Sequence, residues 1–466
     1  MHNHTNDTSK LTRKKSWKRV IAFVTACQIL SFALLPSAGV VFAETAAQTQ
    51  TQGAATTTTT GTAAATKESI GLTAKSAILM EATTGQIIVN IDSSTAYQPA
   101  SMTKMMTEYI IMEKVKNGEF SWDDTVTVRK NASLTQGSRV FLAENDKHTV
   151  RELYIAMAIG SANDATVALA EFAAGSEQEF VNLMNETAKR LGMTTAHFIN
   201  ATGLDRSDMP EEFRPEGEGE TLMSAMDVAK LVRAIVVDHP EFSEFTTIQS
   251  YQFRERDTAP IDNLNWMLEA NKNITNFKRY AYEGLDGMKT GFTDNAGYCF
   301  AGTAERNGMR LISVVMDTNS KSQRFVDTAA LLDYGFNNVE VKQAVAPKQV
   351  ITGHETAPIV KGVKTSIPVV TEKNVSFVVN KGTNFDETNL TTEVKLTPQE
   401  ELVAPIKAGQ KVGEVTYTYK SSSGDQQQTI NLVASEDMEK GSWWRLFLRS
   451  IKNFFGDLFQ SIGDLF

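Results

Sequence analysis

Ser101 and Lys104 stand three residues apart in the stretch QPASMTKMMT, Gln98 to Thr107, just after a proline and where an amphipathic helix begins. That spacing puts both side chains on one helix face. A serine hydroxyl is a poor nucleophile until a base removes its proton. A lysine serves as that base only where burial or a nearby cation lowers its pKa. Met102, Met105, Met106, Ile110 and Ile111 supply apolar neighbours for such a lysine. Near a helix N-terminus, Ser101 also offers its backbone N–H to a developing oxyanion. Alone, the pair is weak and reads more readily as an N-cap serine followed by a surface lysine.

Two further motifs change that balance. GSANDA carries Ser161 and Asn163, and GMKTGFT carries Lys289, Thr290 and Gly291. SxxK, SxN and KTG each occur once, in that order, which is the three-part signature of the penicillin-recognising serine acyl-enzymes. Each part has a physical task. Ser161 is placed to relay a proton toward a leaving amine. Asn163 can orient Lys104 and a substrate amide with its paired donor and acceptor. Lys289 supplies positive charge that keeps Lys104 neutral and attracts a carboxylate, and Thr290 can hydrogen-bond that carboxylate. Gly291 lets a substrate lie along a strand edge.

With these motifs the chain resembles the low-molecular-mass penicillin-binding proteins, the D-alanyl-D-alanine carboxypeptidases. ILMEATTGQIIVN is similar to the family's opening hairpin and YQPASMTKMMT to its nucleophile helix. NATGLD, with Asn200, Gly203 and Leu204, and DGMKTGFTDNAGYCFAGTAERNGMRLISVV resemble later blocks, and RFVDTAALLDYGF resembles the helix that closes the catalytic domain. The resemblance covers about residues 68–466. It implies that Ser101 attacks the bond between the terminal D-alanines of a peptidoglycan stem peptide and that water then hydrolyses the acyl-enzyme. It implies an oxyanion hole from the backbone N–H groups of Ser101 and Phe292, a carboxylate contact from Arg324, and acylation of Ser101 by β-lactams. Phe292 stands where some relatives carry histidine. The acidic stretch 206–221 reads as an insertion, either a loop near the site or a solvated surface loop. Rival readings are a β-lactamase, a DD-endopeptidase of the same superfamily and a non-catalytic cell-wall binding protein. A class A β-lactamase needs a glutamate after SxN, where this chain has TTAHFIN.

The elements that must position these residues follow from pattern. AKSAILMEATTGQIIVN holds two short β-branched runs split by a turn, a hairpin signal. Helical patterns follow over 101–117, TVRELYIAMAIGSANDATVALAEFAAG, SEQEFVNLMNETAKRLGM and SAMDVAKLVRAIV, and strand signals return at AGYCFAGTAERNGMRLISVVMDT. The fold class expected is α+β: a β-lactamase/transpeptidase-like catalytic domain at 68–345, with helices packed on a sheet. A small all-β domain at 346–435 and a C-terminal amphipathic helix within 436–466 come after it.

The chain ends frame this core. Residues 1–43 have the basic, apolar, small-residue order of a signal peptide with cleavage after Ala43. An uncleaved anchor or a lipidated Cys27 are the alternatives. Residues 44–67 form a low-complexity linker. At the other end, Trp444, Phe447, Leu448, Ile451, Phe454, Phe455 and Leu458 share one helical face opposite Arg445, Arg449 and Lys452. That pattern suits a helix lying in a membrane interface, with packing on a domain of the same chain as the alternative. At 466 residues and a net charge of −9, two folded domains plus tails are expected and nucleic acid is an unsuitable partner. The histidines lack metal-ligand spacing, so neither metal nor cofactor is expected. Cys299 reads as a small buried residue. The site inferred is extracytoplasmic, at the bacterial membrane.

Overall fold

The computed structural model describes residues 65–421 and 424–463, with side chains described to residue 455. All of them belong to one compact unit, Thr60–Phe466. The calls on residues 1–43 and on most of the linker lie outside the described residues.

Strands β1 (Ser76–Glu81) and β2 (Ile87–Ile91) form the expected hairpin. The Glu81 carboxylate closes its turn by accepting the N–H groups of Thr83 and Thr84 at 3.0 and 2.7 Å. Strands β3 (Leu285–Thr293), β4 (Gly297–Arg306) and β5 (Met309–Thr318) complete an antiparallel sheet of order β2-β1-β5-β4-β3. Asn307 and Gly308 take φ of 52° and 77° in the β4–β5 turn, the backbone a tight hairpin requires. The sheet is buried on both faces. Ala77 and Leu79, with Leu311 and Val315, pack on Phe325, Leu331 and Leu332 of α6 (Gln323–Asn338). Ile78 and Met80, with Ile312, Val314 and Met316, join the larger core on the opposite side. Two-sided burial explains why β1 and β5 read as nearly unbroken apolar runs.

That larger core is helical. Helix α1 (Lys104–Lys116) runs through it, and every residue from Lys104 to Met112 is buried. Around it lie α2 (Val150–Gly160), α3 (Asn163–Ala174), α4 (Glu177–Arg190) and α5 (Ala225–Asp238). The periodic pattern running through GSANDA continues as one helix in the sequence. In the structure it breaks at Ser161, whose φ is 59°, and restarts at Asn163. Both helices pack on the same core, so the apolar period carries no trace of the break.

The all-β module has a five-stranded antiparallel sheet of order β7-β8-β12-β11-β10: β7 Thr356–Pro358, β8 Ser366–Thr371, β10 Leu390–Leu396, β11 Lys411–Ser421 and β12 Gly424–Ala434. Beside it β6 (Val339–Val345) pairs with β9 (Val375–Asn380). The expected boundary at 346 therefore moves to about 339. Helix α6 takes in the polar pair Asn337 and Asn338, and β6 begins at the next residue. At the other end, bridges from Ile406 to Met438 and from Gly362 to Lys440 carry the module past 435. Helix α7 (Trp443–Gly463) follows.

Candidate active site

Ser101 lies in a 3-10 turn, Ala100–Thr103, that leads directly into α1. Two glycines let the surrounding backbone close on this turn. At Gly203 (φ +80°) a Cβ would lie 1.9 Å from the Ala100 carbonyl oxygen, and at Gly291 one would lie 2.5 Å from that of Pro99. The bare edge at Gly291 is thus required by the fold itself, before any substrate is considered. Gly203→Ala is expected to lower stability by about 2–4 kcal/mol through clash and left-handed strain. Urea unfolding measures that loss, with slower penicillin labelling of Ser101 as its functional counterpart.

Lys104 is completely buried, and its Nζ lies 3.0 Å from Ser101 Oγ. Nζ also donates to the Thr202 carbonyl at 2.8 Å. The Thr202 carbonyl belongs to a loop organised by Asn200. Asn200 Oδ1 accepts the N–H groups of Thr202 and Gly203 at 3.1 and 2.7 Å, and its Nδ2 donates to the Leu204 carbonyl at 2.8 Å. Burial, then the Lys289 charge, hold Lys104 well below the usual lysine pKa, against smaller opposing effects of Glu108 and Asp164. A neutral amine there gives one N–H to Thr202 and keeps its lone pair for the serine hydroxyl.

The second motif sits at the α2–α3 break. Ser161 and Asn163 are 2% and 3% exposed, and neither Ser161 Oγ nor Asn163 Oδ1 has a hydrogen-bond partner among the described residues. Buried polar atoms without partners are uncommon; here both belong to the motif. Asn163 Nδ2 donates to the Gln136 carbonyl at 2.7 Å rather than to Lys104. Asp164, next along α3, accepts the N–H groups of Val140 and Leu142 at 3.1 and 3.0 Å. These bonds hold segment 136–142 against the start of α3.

Lys289, Thr290 and Gly291 lie on the edge strand β3. Lys289 is 2% exposed, and burial lowers its pKa to about 8, with Glu108 opposing and Arg324 adding to that fall. Phe292 is 47% exposed and stacks on Tyr298 at 4.4 Å. Arg324 is buried, not a surface cap. Its Nη1 donates to the carbonyls of Gly291 and Cys299 at 3.1 and 3.4 Å, while its Nε has no partner among the described residues. The guanidinium thus underlies the strand end that carries the third motif. Cys299 is buried on β4, and burial pushes its thiol up to about 12.

Sequence reasoning missed Glu108, Asp164 and the tie from Lys104 to Thr202. Only the NATGLD block pointed toward the last. The acidic stretch 206–221 is rooted at the site's rim, where Asp205 accepts from Asn295 at 2.8 Å and from Gln98 at 3.4 Å. Its body is mostly exposed and stapled by its own arginines, Arg206 to the Pro215 and Gly219 carbonyls and Arg214 to those of Ser207 and Met209.

A serine and a buried lysine at the start of a central helix, an SxN turn beside them and a KTG edge strand define the penicillin-recognising class of serine acyl-transfer proteins. Within that class the chain belongs to the D-alanyl-D-alanine carboxypeptidase family, whose sequence profile matches residues 61–320. Residues 340–440 match the C-terminal domain of penicillin-binding protein 5. The D-alanyl-D-alanine carboxypeptidase DacF of Bacillus subtilis is 32% identical over 384 residues, 82% of this chain and 90% of that protein. DacC of Escherichia coli is 30% identical over 85% of this chain and 92% of its own length. Among solved structures, a peptidoglycan synthesis regulatory factor (PBP3) from Streptococcus pneumoniae aligns with a TM-score of 0.65 at 29% identity, covering 79% of this chain and 100% of that one. Penicillin binding protein 5 from Haemophilus influenzae aligns at 0.60 and 28%, covering 79% and 98%.

Proposed function

We propose that this chain is a serine D-alanyl-D-alanine carboxypeptidase that works through an acyl-enzyme on Ser101. The observation that carries the reading is a fully buried amine, Lys104 Nζ, 3.0 Å from the Ser101 hydroxyl. Ser101 Oγ attacks the carbonyl between the two terminal D-alanines of a stem peptide while Lys104 takes its proton. The backbone N–H groups of Ser101 and Phe292 receive the oxyanion. Ser161 passes a proton to the departing amine, and Asn163 Oδ1 is free to accept from the substrate amide. Lys289 and Thr290 hold the terminal carboxylate, with Arg324 supporting Gly291 behind them. Hydrolysis of the ester by water then restores Ser101. β-Lactams present a carboxylate and a strained amide to the same groups.

The same reading places the catalytic domain outside the cytoplasm, exported by residues 1–43 and tethered by the linker to 67. No helix among the described residues is long and apolar enough to cross a membrane. Helix α7 is assigned to the membrane surface because its Trp and Phe side chains are exposed along one face.

The test uses the chain from residue 44 in detergent with a pentapeptide ending in D-Ala-D-Ala. One D-alanine released per peptide is expected. Penicillin bound at Ser101 is expected to persist after free drug is removed. Rapid loss of the adduct would favour a β-lactamase, and no release of D-alanine would overturn the reading.

A further inference from the structure

Glu108 is the one buried acid on α1, a full turn beyond Lys104, and it is 2% exposed. Its Oε1 has no hydrogen-bond partner among the described residues. A carboxylate in that situation costs free energy that an apolar side chain of similar size would avoid. Two buried lysines beside it provide a reason for its presence. Lys104 on α1 and Lys289 on β3 are both buried, and the Lys289 charge disfavours a proton on Lys104. The other charged and titratable groups around them are Tyr154 on α2, Asp164 on α3 and Arg324 on α6. Asp164 is already engaged by three backbone N–H groups, those of Val140, Leu142 and Ala165. Glu108 has no such engagement at Oε1, which leaves its charge directed at the lysines.

We infer that Glu108 is a positioning residue for catalysis, a buried counter-charge that keeps Lys289 cationic beside a neutral Lys104. The inference rests on the carboxypeptidase reading of the site. The pairing is mutual: after burial itself, Lys289 is the largest influence on Glu108, and Glu108 the largest on Lys289. Burial raises Glu108 to about 7, and both lysines oppose that rise. Once ionised, its carboxylate supports the Lys289 proton, and the value near 8 for Lys289 already contains that support. The consequence is a division of labour between two like residues. Lys289 stays charged for the substrate carboxylate, and Lys104 stays neutral for the serine.

The experiment compares the full-length wild type with Glu108→Gln, following kcat/KM for the D-Ala-D-Ala pentapeptide and penicillin acylation across the pH range of activity. With the counter-charge gone, both lysines hold protons less well. Both limbs of the pH profile are expected to move to lower pH, the alkaline limb by about one unit or more. KM is expected to rise on the alkaline side with kcat less affected, and Glu108→Asp is expected to return the limbs toward wild type. Glu108→Met, without a buried amide, serves where the glutamine variant folds poorly and is expected to show the same displacement. An unchanged profile in a folded variant overturns the inference, as does a uniform fall in kcat at every pH with a lowered melting temperature. If the wild type releases no D-alanine, it is the carboxypeptidase reading that fails.

Discussion

Lys104→Ala is expected to slow acylation of Ser101 by about 10³-fold or more with the fold intact. The amine is completely buried, and among the described residues its hydrogen-bond partners are Ser101 Oγ and the Thr202 carbonyl. Truncation opens a cavity beside Met102, Met105 and Met106, which costs stability. It also relieves the cost of holding that amine desolvated and without its proton in the interior, which restores some. The two effects oppose, so the melting temperature should change little while the rate collapses. The adduct formed with penicillin, followed by mass spectrometry, reads the rate. Ser101→Ala is the companion and is expected to form no adduct at all. Retained labelling of Lys104→Ala would show that another group takes the proton.

The same residue predicts a pH dependence of stability. Lys104 and Lys289 both hold protons less tightly folded than unfolded, from an ordinary value of 10.5, with Lys289 near 8. Between those values the unfolded chain binds more protons, so this contribution to stability rises as pH increases through that window. Below it the penalty of burying the charged form is at its full size. In Lys104→Ala the rise is expected to be smaller than in the wild type, and the difference in melting temperature between the two proteins reads it without any assay of activity.

Much of the site was legible because its chemistry depends on residue types at short, fixed spacings. Ser101 and Lys104 share a face whatever else the chain does, and KTG needs only an extended edge to present its lysine. The rest depended on contacts distant in sequence. Nothing near Lys104 reveals that the Thr202 carbonyl, 98 residues away, receives its N–H. The role of Gly291 was read as room for substrate, whereas the carbonyl of Pro99 already occupies the space a Cβ would need. The break at Ser161 was hidden because the apolar period continues across it, although Gly160, Ser161 and Asn163 are weak helix formers. Glu108 was invisible for a related reason. A glutamate in a helix is ordinarily taken as solvent-facing, and only the burial of α1 on every side makes it interior. In the fold, alternation recovered the hairpin and the strands of the β module. It did not place the module's first strand, β6, which starts at Val339 directly after the last residue of α6.

Removal of residues 442–466 is expected to release the mature protein from membranes almost completely. On α7, Trp443, Trp444, Phe447, Leu448, Ile451, Phe454 and Phe455 are all exposed, between 38% and 65%. The alternative of an amphipathic helix packed on its own domain therefore fails for this face. The helix instead touches the β module by another side, where Arg449 donates to the carbonyls of Gly362 and Val363 at 3.1 and 3.0 Å. That contact fixes the start of the helix and leaves the aromatic face outward. Burying a side chain of this size is worth roughly 1.5–3 kcal/mol when complete. Seven half-exposed ones inserted to the depth of the headgroups give several kcal/mol, enough to shift partitioning by orders of magnitude. Sedimentation with vesicles of anionic and neutral lipid separates the apolar contribution from that of Arg445, Arg449 and Lys452. Phe447→Glu with Phe454→Glu should reproduce most of the loss while leaving D-alanine release in detergent unchanged, because both side chains are exposed on a helix that docks on the β module. Continued membrane retention of the truncated full-length chain would locate the attachment in residues 1–43 instead.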